Sequence, residues 1–265
     1  MSLSTEQIRA VANLLADARH ENSVLDEIPD SIRPANLVEA YAIQDALAEE
    51  LGWETGGWFC ACTNEVIQDI LGLREPYYAR LFSRYILNSP AQLRSTEFPP
   101  IVLECEFGFK LGEDLPSREE AYTRVEVEAA IASVHPTIEV VAGHLKDWPN
   151  QDVWSVIADN GTDGALIVGE GRRDWRDLDL VNMRVALEIN GEEKRAGAGA
   201  NVLGDPLEAF VWLANARSRD GAGLKAHDIH NTGTATDIIW IEPGDEAVAR
   251  FEGLGEVRLV LEEQN

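Results

Sequence analysis

An α+β fold, with a helical N-terminal region followed by a β-rich remainder, is what the sequence predicts. Three observations predict it. Residues 4–20 and 36–52 carry apolar side chains at the three-and-four spacing of amphipathic helices. From residue 100 onward the chain breaks into short runs rich in Val, Ile and Leu, the pattern of strands. With 265 residues, 45% of them hydrophobic, the chain can bury a core as one large domain or as one domain with a smaller appendage. The division that follows is a helical region over 1–95 and a β-rich region over 96–265.

The elements justify themselves in order. "MSLSTEQIRAVANLL" lacks a basic segment leading into an apolar one, so it reads as a helix with Ser4 or Thr5 as cap rather than as a targeting signal. In "ANLVEAYAIQDALAEELG", Leu37, Tyr41, Ile43, Ala46, Leu47 and Leu51 form the apolar stripe, and Gly52 ends it. "GWFCAC" reads as a short buried strand, and "TNEVIQDILG" as a helix capped by Thr63 or Asn64 and stopped by Gly72. The prolines at 90, 99 and 100 lead into the second region, where "IVLECEFGFKL", "TIEVVAGHL", "GALIVGEG", "MRVALEIN", "TDIIWI", "AVARFEG" and "EVRLVLE" are the predicted strands. "NGEE" after "LEIN" is a hairpin turn. Helices are expected over 117–134, "SREEAYTRVEVEAAIASV", and over "DPLEAFVWLANARSRDG".

Charge narrows the function. There are 47 acidic and 22 basic residues, a net charge of −25. Nucleic-acid binding needs clustered Lys and Arg, so that class is excluded, as is attraction to an anionic membrane. No run approaches the ~20 apolar residues of a membrane span. Cys60, Cys62 and Cys105 form neither a disulfide framework nor a zinc pattern, and a reducing cytoplasm is the simplest setting.

One stretch asks for chemistry. In "LECEFGFK", strand alternation sets Leu103, Cys105, Phe107 and Phe109 on one side and Glu104, Glu106 and Lys110 on the other. Two like charges about 7 Å apart on one face repel unless something separates them. Glu139, in the apolar run "HPTIEVV", is a third acid of this kind. Two readings stand at this point. The three glutamates form an oxygen cage for a hard divalent ion, Mg2+ before Mn2+, or Glu104 and Glu106 simply face solvent on an edge strand.

A resemblance spans nearly the whole chain. "AYAIQDAL", "GLREPYYARLF", "LECEFGFKLGEDLP", "VHPTIEVV", "ADNGTDGALIVG", "GAGANVLGDPLEAFVWLAN" and "NTGTATDIIWIEPGDEAVARFEGLGEVRL", in that order, resemble the 2-oxo-acid hydratase and decarboxylase branch of the fumarylacetoacetate hydrolase superfamily. The resemblance implies a mixed β-roll or barrel carrying the helical N-terminal region, with Mg2+ or Mn2+ held by Glu104, Glu106 and Glu139. It implies a lyase, hydratase first, acting on a small unsaturated 2-oxo or 2-hydroxydienoic acid, with decarboxylation of an oxalocrotonate-like acid as the alternative. It also implies a homo-oligomer, and Asn201, Thr232 and Gly233 as pocket residues.

Two positions depart from the family. Where its hydratases usually read "GxKxGxT", this chain reads "GWFCACT", with Phe59 in place of the lysine; Tyr77 holds the position of a frequent aspartate. These departures leave three outcomes. Trp58, Phe59 and Tyr77 line a more apolar pocket, or another group takes over proton transfer, with Lys110 and His135 first and His144, Tyr78 and Glu170 behind them. The third is a catalytically silent metal-binding subunit, assembled with an active relative.

Overall fold

The computed structural model describes residues 2–263. Helix α1 (Thr5–Glu21) starts at Ser4, whose hydroxyl accepts from Gln7 N–H while the Gln7 side chain returns to the Ser4 backbone. Helix α2 (Leu37–Leu51) is capped by Asn36 and stopped by Gly52 in the left-handed conformation. Strand β1 (Thr55–Ala61) and helix α3 (Glu65–Leu71) follow as expected. The stretch up to residue 95, expected as part of the helical region, holds three more strands: β2 (Tyr77–Phe82), β3 (Ile86–Asn88) and β4 (Ala91–Arg94). Strand β5 (Val102–Leu111) carries the first two glutamates.

The helix expected over 117–134 is much shorter. Helix α4 (Arg124–Ala130) begins at a Thr123–Glu126 capping box, and Ile131 already opens strand β6 (Ile131–Val141), which carries Glu139. Then come α5 (Val153–Ala158), β7 (Asp163–Val168), the hairpin of β8 (Arg184–Ile189) and β9 (Glu192–Ala198), and α6 (Pro206–Arg219). The chain closes with β10 (Ile229–Thr234), β11 (Ile239–Trp240), β12 (Glu246–Phe251) and β13 (Gly255–Glu262).

These strands build two sheets. The larger has the order β2-β1-β10-β5-β6-β7-β3, with β11 also on β5; the smaller runs β4-β13-β12-β8-β9. Strands from both sides of residue 95 pair with one another, as in β1 with β10 and β3 with β7. In the larger sheet β2 comes round to touch β7, so the sheet curls into a half-barrel. The smaller sheet and α6 cover its outer face.

That covering explains the alternation in β5. Leu103, Cys105, Phe107 and Phe109 point outward into the main core with Ile138 and Val140 of β6. Directly opposed residues share a face, so the register Glu104↔Glu139, Glu106↔Thr137 and Gly108↔His135 puts the remaining β5 and β6 side chains on the inner face. Lying on that inner side, Phe59, Ala79, Leu81, Leu166, Val168 and Ile229 form a separate apolar cluster.

A third cluster packs α1, α2 and α5 against Tyr77 and Phe82. One buried ion network locks it. Arg19 of α1 pairs with Asp159 at 3.0 Å and Asp163 at 2.9 Å, and also donates to their carbonyls. Asp159 further accepts the His144 backbone N–H. Burial lifts both aspartates above their usual range even beside the arginine. The triad therefore adds little net stability when intact, and removing its cation strands two buried anions. We expect Arg19→Met to cost about 3–5 kcal/mol in urea denaturation. A loss under about 1 kcal/mol, the range of exposed pairs, would contradict this burial.

Candidate metal centre

The site is built from three strands. Because Glu104 of β5 lies opposite Glu139 of β6, and Glu106 is two residues further along the same face, the three side chains converge. One carboxylate oxygen from each lies within 4.8 Å of the others. Glu106 and Glu139 are buried, and Glu104 is half-buried, so the opening lies on its side.

Strand β10 completes the arrangement through an irregularity. Its register on β5 shifts between Asn231 and Thr234, and that shift brings backbone to the carboxylates. Gly233 N–H donates to Glu106 Oε2 at 2.8 Å. Gly233 has φ +91°, and a Cβ there would lie 2.1 Å from Thr63 Oγ1, so only glycine serves. Asn231 Nδ2 donates to Glu139 Oε2 at 3.3 Å, and the Thr137 hydroxyl donates to Asn231 Oδ1 at 2.9 Å. The second Glu106 oxygen, Oε1, is buried without a hydrogen-bond partner among the described residues.

Burial raises the Glu106 carboxyl well above the usual range, and the Glu139 and Glu104 charges raise it further. Glu139 is lifted to about 8 by burial, with Glu104 adding to it. Glu104 is raised by burial as well. Among the described residues no cationic side chain is paired with the three; Arg19 is committed to Asp159 and Asp163. An all-oxygen set with an orphaned buried oxygen fits a hard divalent cation, and it offers no soft donor.

The expected pocket residues divide. Phe59, opposite Asn231 in the β1–β10 register, is buried on the inner face. Tyr77, diagonal to it on β2, is close enough to Glu104 and Glu139 for their charges to act on its phenol. Gly233 touches the cage directly, whereas Thr232 is fully buried with its hydroxyl unpartnered among the described residues. Asn201 is exposed and holds the Ala235 carbonyl at 2.9 Å, one residue from Thr234, which faces Glu106.

Trp58 is a correction. As the neighbour of Phe59 it points to the opposite face, where Arg217 stacks on its indole at 3.6 Å and Tyr78 meets its edge. Lys110 and His135 share the inner face but not the cage. Lys110 is exposed, four residues along β5 from Glu106, or roughly 13 Å. Both His135 nitrogens are engaged, by Ser133 Oγ at 2.8 Å and by the Gly169 carbonyl at 2.9 Å. Burial lowers its pKa, so this neutral ring ties β6 to the loop after β7. Tyr78 bonds Asp220, His144 sits in the Arg19 network, and Glu170 is exposed. His230 accepts from Trp58 N–H and stacks on Phe210 on the outer side. Asn231 and Thr137 were not anticipated. Their only sequence signal is the same-face alternation with Ile229 and with Glu139.

A carboxyl raised in the folded state binds its proton more tightly there than in the unfolded chain. Stability of the metal-free protein is therefore full below the ordinary glutamate value and falls as pH rises through the raised values. Between pH 4.5 and about 8, where Glu139 titrates, the melting temperature of chelator-treated protein should fall. Each proton lost contributes up to ~1.4 kcal/mol per pH unit. Adding Mg2+ should flatten the profile, and Glu106→Gln should shallow it; a metal-free profile already flat would contradict the buried cage.

Comparison with known proteins accords with this geometry. The model of the fumarylacetoacetate (FAA) hydrolase C-terminal family matches residues 84–262. A 2-keto-4-pentenoate hydratase of Paraburkholderia xenovorans (strain LB400) is 31% identical over 263 residues, covering 98% of this chain and 97% of that protein. A 4-oxalocrotonate decarboxylase of Pseudomonas putida is 27% identical over 259 residues, 97% of each chain. The solved 4-oxalocrotonate decarboxylase from Pseudomonas putida G7, complexed with magnesium and adipate, superposes with a TM-score of 0.91 at 26% identity, covering 98% of this chain and 99% of that one.

Proposed function

The chain belongs to the fumarylacetoacetate hydrolase family, and from that premise we propose that it is a Mg2+- or Mn2+-dependent lyase of small unsaturated 2-oxo or 2-hydroxydienoic acids, hydratase first. The observation that carries the reading is the cage itself: three converging carboxylates, one with a buried orphaned oxygen, and no cationic side chain paired with them among the described residues. Glu104, Glu106 and Glu139 would hold the ion. Bound there, it supplies positive charge that draws in an anionic 2-oxo acid and favours its enolate form.

The chain's own residues do the rest by positioning. Gly233 N–H and Asn231 fix one oxygen each of Glu106 and Glu139, so the remaining oxygens are held in place rather than free to rotate. The Thr137 hydroxyl lies 2.9 Å from Asn231 Oδ1 and 2.8 Å from the Glu106 carbonyl, so its one proton is shared between them and ties the Asn231 amide to β5. The apolar packing beneath the cage excludes bulk water from that side and leaves the half-buried Glu104 edge as the approach. Tyr77 and Cys62 are two proton-bearing side chains on which the Glu104 charge acts, and burial, with that charge, raises both.

Decarboxylation of an oxalocrotonate-like acid is the second reading, supported by the likeness to the solved decarboxylase. A silent metal-binding subunit, working beside an active relative, is the third, supported by Phe59 where a proton-transferring side chain would stand. Assembly as a homo-oligomer belongs to the proposal, as does a cytoplasmic setting, which the three free cysteines support. Among the described residues no helix is long and apolar enough to cross a membrane.

The test is calorimetric titration of Mg2+ into metal-free protein with and without oxalate, followed by a spectrophotometric assay on 2-hydroxypenta-2,4-dienoate. We expect oxalate to tighten Mg2+ binding, and Glu106→Gln or Glu139→Gln to lower turnover about a hundredfold or more. Failure of Mg2+ to bind in either condition would overturn the metal-enzyme reading. Binding without turnover of the dienoate or of an oxalocrotonate would leave the silent subunit.

A further inference from the structure

The buried network of Arg19, Asp159 and Asp163 adds little net stability when intact, so its place in the fold asks for another reason. Asp163 supplies one. In the β6–β7 register it lies opposite Val141, two residues along the strand from Glu139, where the pairing shifts between Val140 and Val141. Residues two apart on a strand share a face and stand about 7 Å from one another. Glu139 and Asp163 both line a void of about 10 Å3, which Leu81, Phe82 and Leu166 close on its apolar sides. That is room for about one water.

The void has acceptors on two sides. Asp163 Oδ1 is buried and meets Arg19 Nη1 at 2.9 Å, yet no aligned hydrogen bond reaches it among the described residues. Glu139 accepts from Asn231 on Oε2, and a carboxylate has lone pairs for a further donor. One water can give a proton to each. Charge follows the same route. Burial favours the neutral forms of Tyr77 and Cys62, the other ionisable side chains on which the Glu104 charge acts. Asp163, beside its arginine, is lifted only to about 6 and is ionised above that.

We propose that a water in this void joins Asp163 to Glu139, and that Asp163 is a positioning residue for the metal centre. It holds Glu139 in place and adds to the pull on a divalent cation. Arg19 in turn holds Asp163, so helix α1 reaches the cage through two side chains and one water. The inference rests on the metal-site reading above and adds to it a residue outside the three glutamates. Asp159 is the natural comparison. It pairs with the same guanidinium at 3.0 Å, but it accepts the His144 N–H and is not part of the void's wall.

The test is calorimetric titration of Mg2+, at about pH 8, into metal-free full-length protein and into its Asp163→Asn and Asp159→Asn variants. We expect Asp163→Asn to weaken Mg2+ binding by about tenfold, as loss of a metal ligand's own partner does. Asp159→Asn should leave the affinity within about twofold, although both variants lower the melting temperature. Equal weakening in the two, the mark of a merely structural network, overturns the proposal, and so does unchanged affinity in Asp163→Asn. If either variant does not fold, a crystal structure of the unmodified protein with Mg2+ decides. One water within hydrogen-bond distance of both carboxylates supports the link, and a dry void overturns it. Absence of Mg2+ binding to the unmodified protein overturns the metal-site reading, and this inference with it.

Discussion

Mutual repulsion among three buried carboxylates is the constraint on which the rest of the structure turns. Oxygens of Glu104, Glu106 and Glu139 lie within 4.8 Å of one another, and no cationic side chain among the described residues is paired with them. At such a separation two unit charges repel by about 4 kcal/mol at the effective dielectric of a protein. Exposed ion pairs, of which this acidic chain has many, contribute about 0–1 kcal/mol each and cannot offset that locally. Protons or a cation must, and among the described residues the groups donating to the glutamate side chains, Gly233 N–H and Asn231, leave Glu106 Oε1 orphaned. A fold that only needed stability would place apolar residues there.

The sheet makes the arrangement tolerable by separating two jobs. Its outer face is a continuous core, with Phe107 and Phe109 fully buried beside Leu103 and Cys105. Its inner face is divided between a polar patch and an apolar floor. Strands buried on both faces ordinarily read as unbroken hydrophobic runs. The alternation in β5 inside such a sheet is therefore a departure made for the site. The shifted register of β10 is a second one, because a regular ladder would give the Gly233 amide to the neighbouring strand rather than to Glu106.

How much of this the sequence revealed depends on the range of the contact involved. Local signals were legible: the Ser4 cap, the Gly52 stop, the Asn190–Gly191 hairpin turn and the facing of Glu104 and Glu106. The helix expected over 117–134 failed because nothing local distinguishes Ile131–Val134 as helix or strand; pairing with β5 decides it. Strands β3 and β4 escaped because their partners lie far along the chain, as Ile86 with Leu166 and Leu93 with Leu261, whereas β2 pairs with its neighbour β1. Asn231 escaped for the same reason, holding a residue 92 positions away. Trp58 was a readable error, since a strand cannot present Trp58 and Phe59 to one face. Lys110 and His135 were on the right face, but strand rise carried them away from the acids.

The N-terminal helices are tied to the site by a chain of contacts. Arg19 of α1 grips Asp159 and Asp163, and these two acids bracket the turn at 160–162. Gly161 in that turn takes a left-handed conformation that lets the Phe59 and Tyr77 rings pack on it. The Tyr77 phenol lies within reach of the Glu104 and Glu139 charges, and Asp163 sits with Glu139 at the wall of a void of about 10 Å3. Loosening α1 therefore does more than remove a covering layer. It frees a buried anion beside Glu139 and releases the turn on which the Phe59 and Tyr77 rings rest. Arg19 stabilises no glutamate directly, yet by pairing with Asp163 it keeps a fourth unpaired carboxylate from joining the three that the site already has to accommodate.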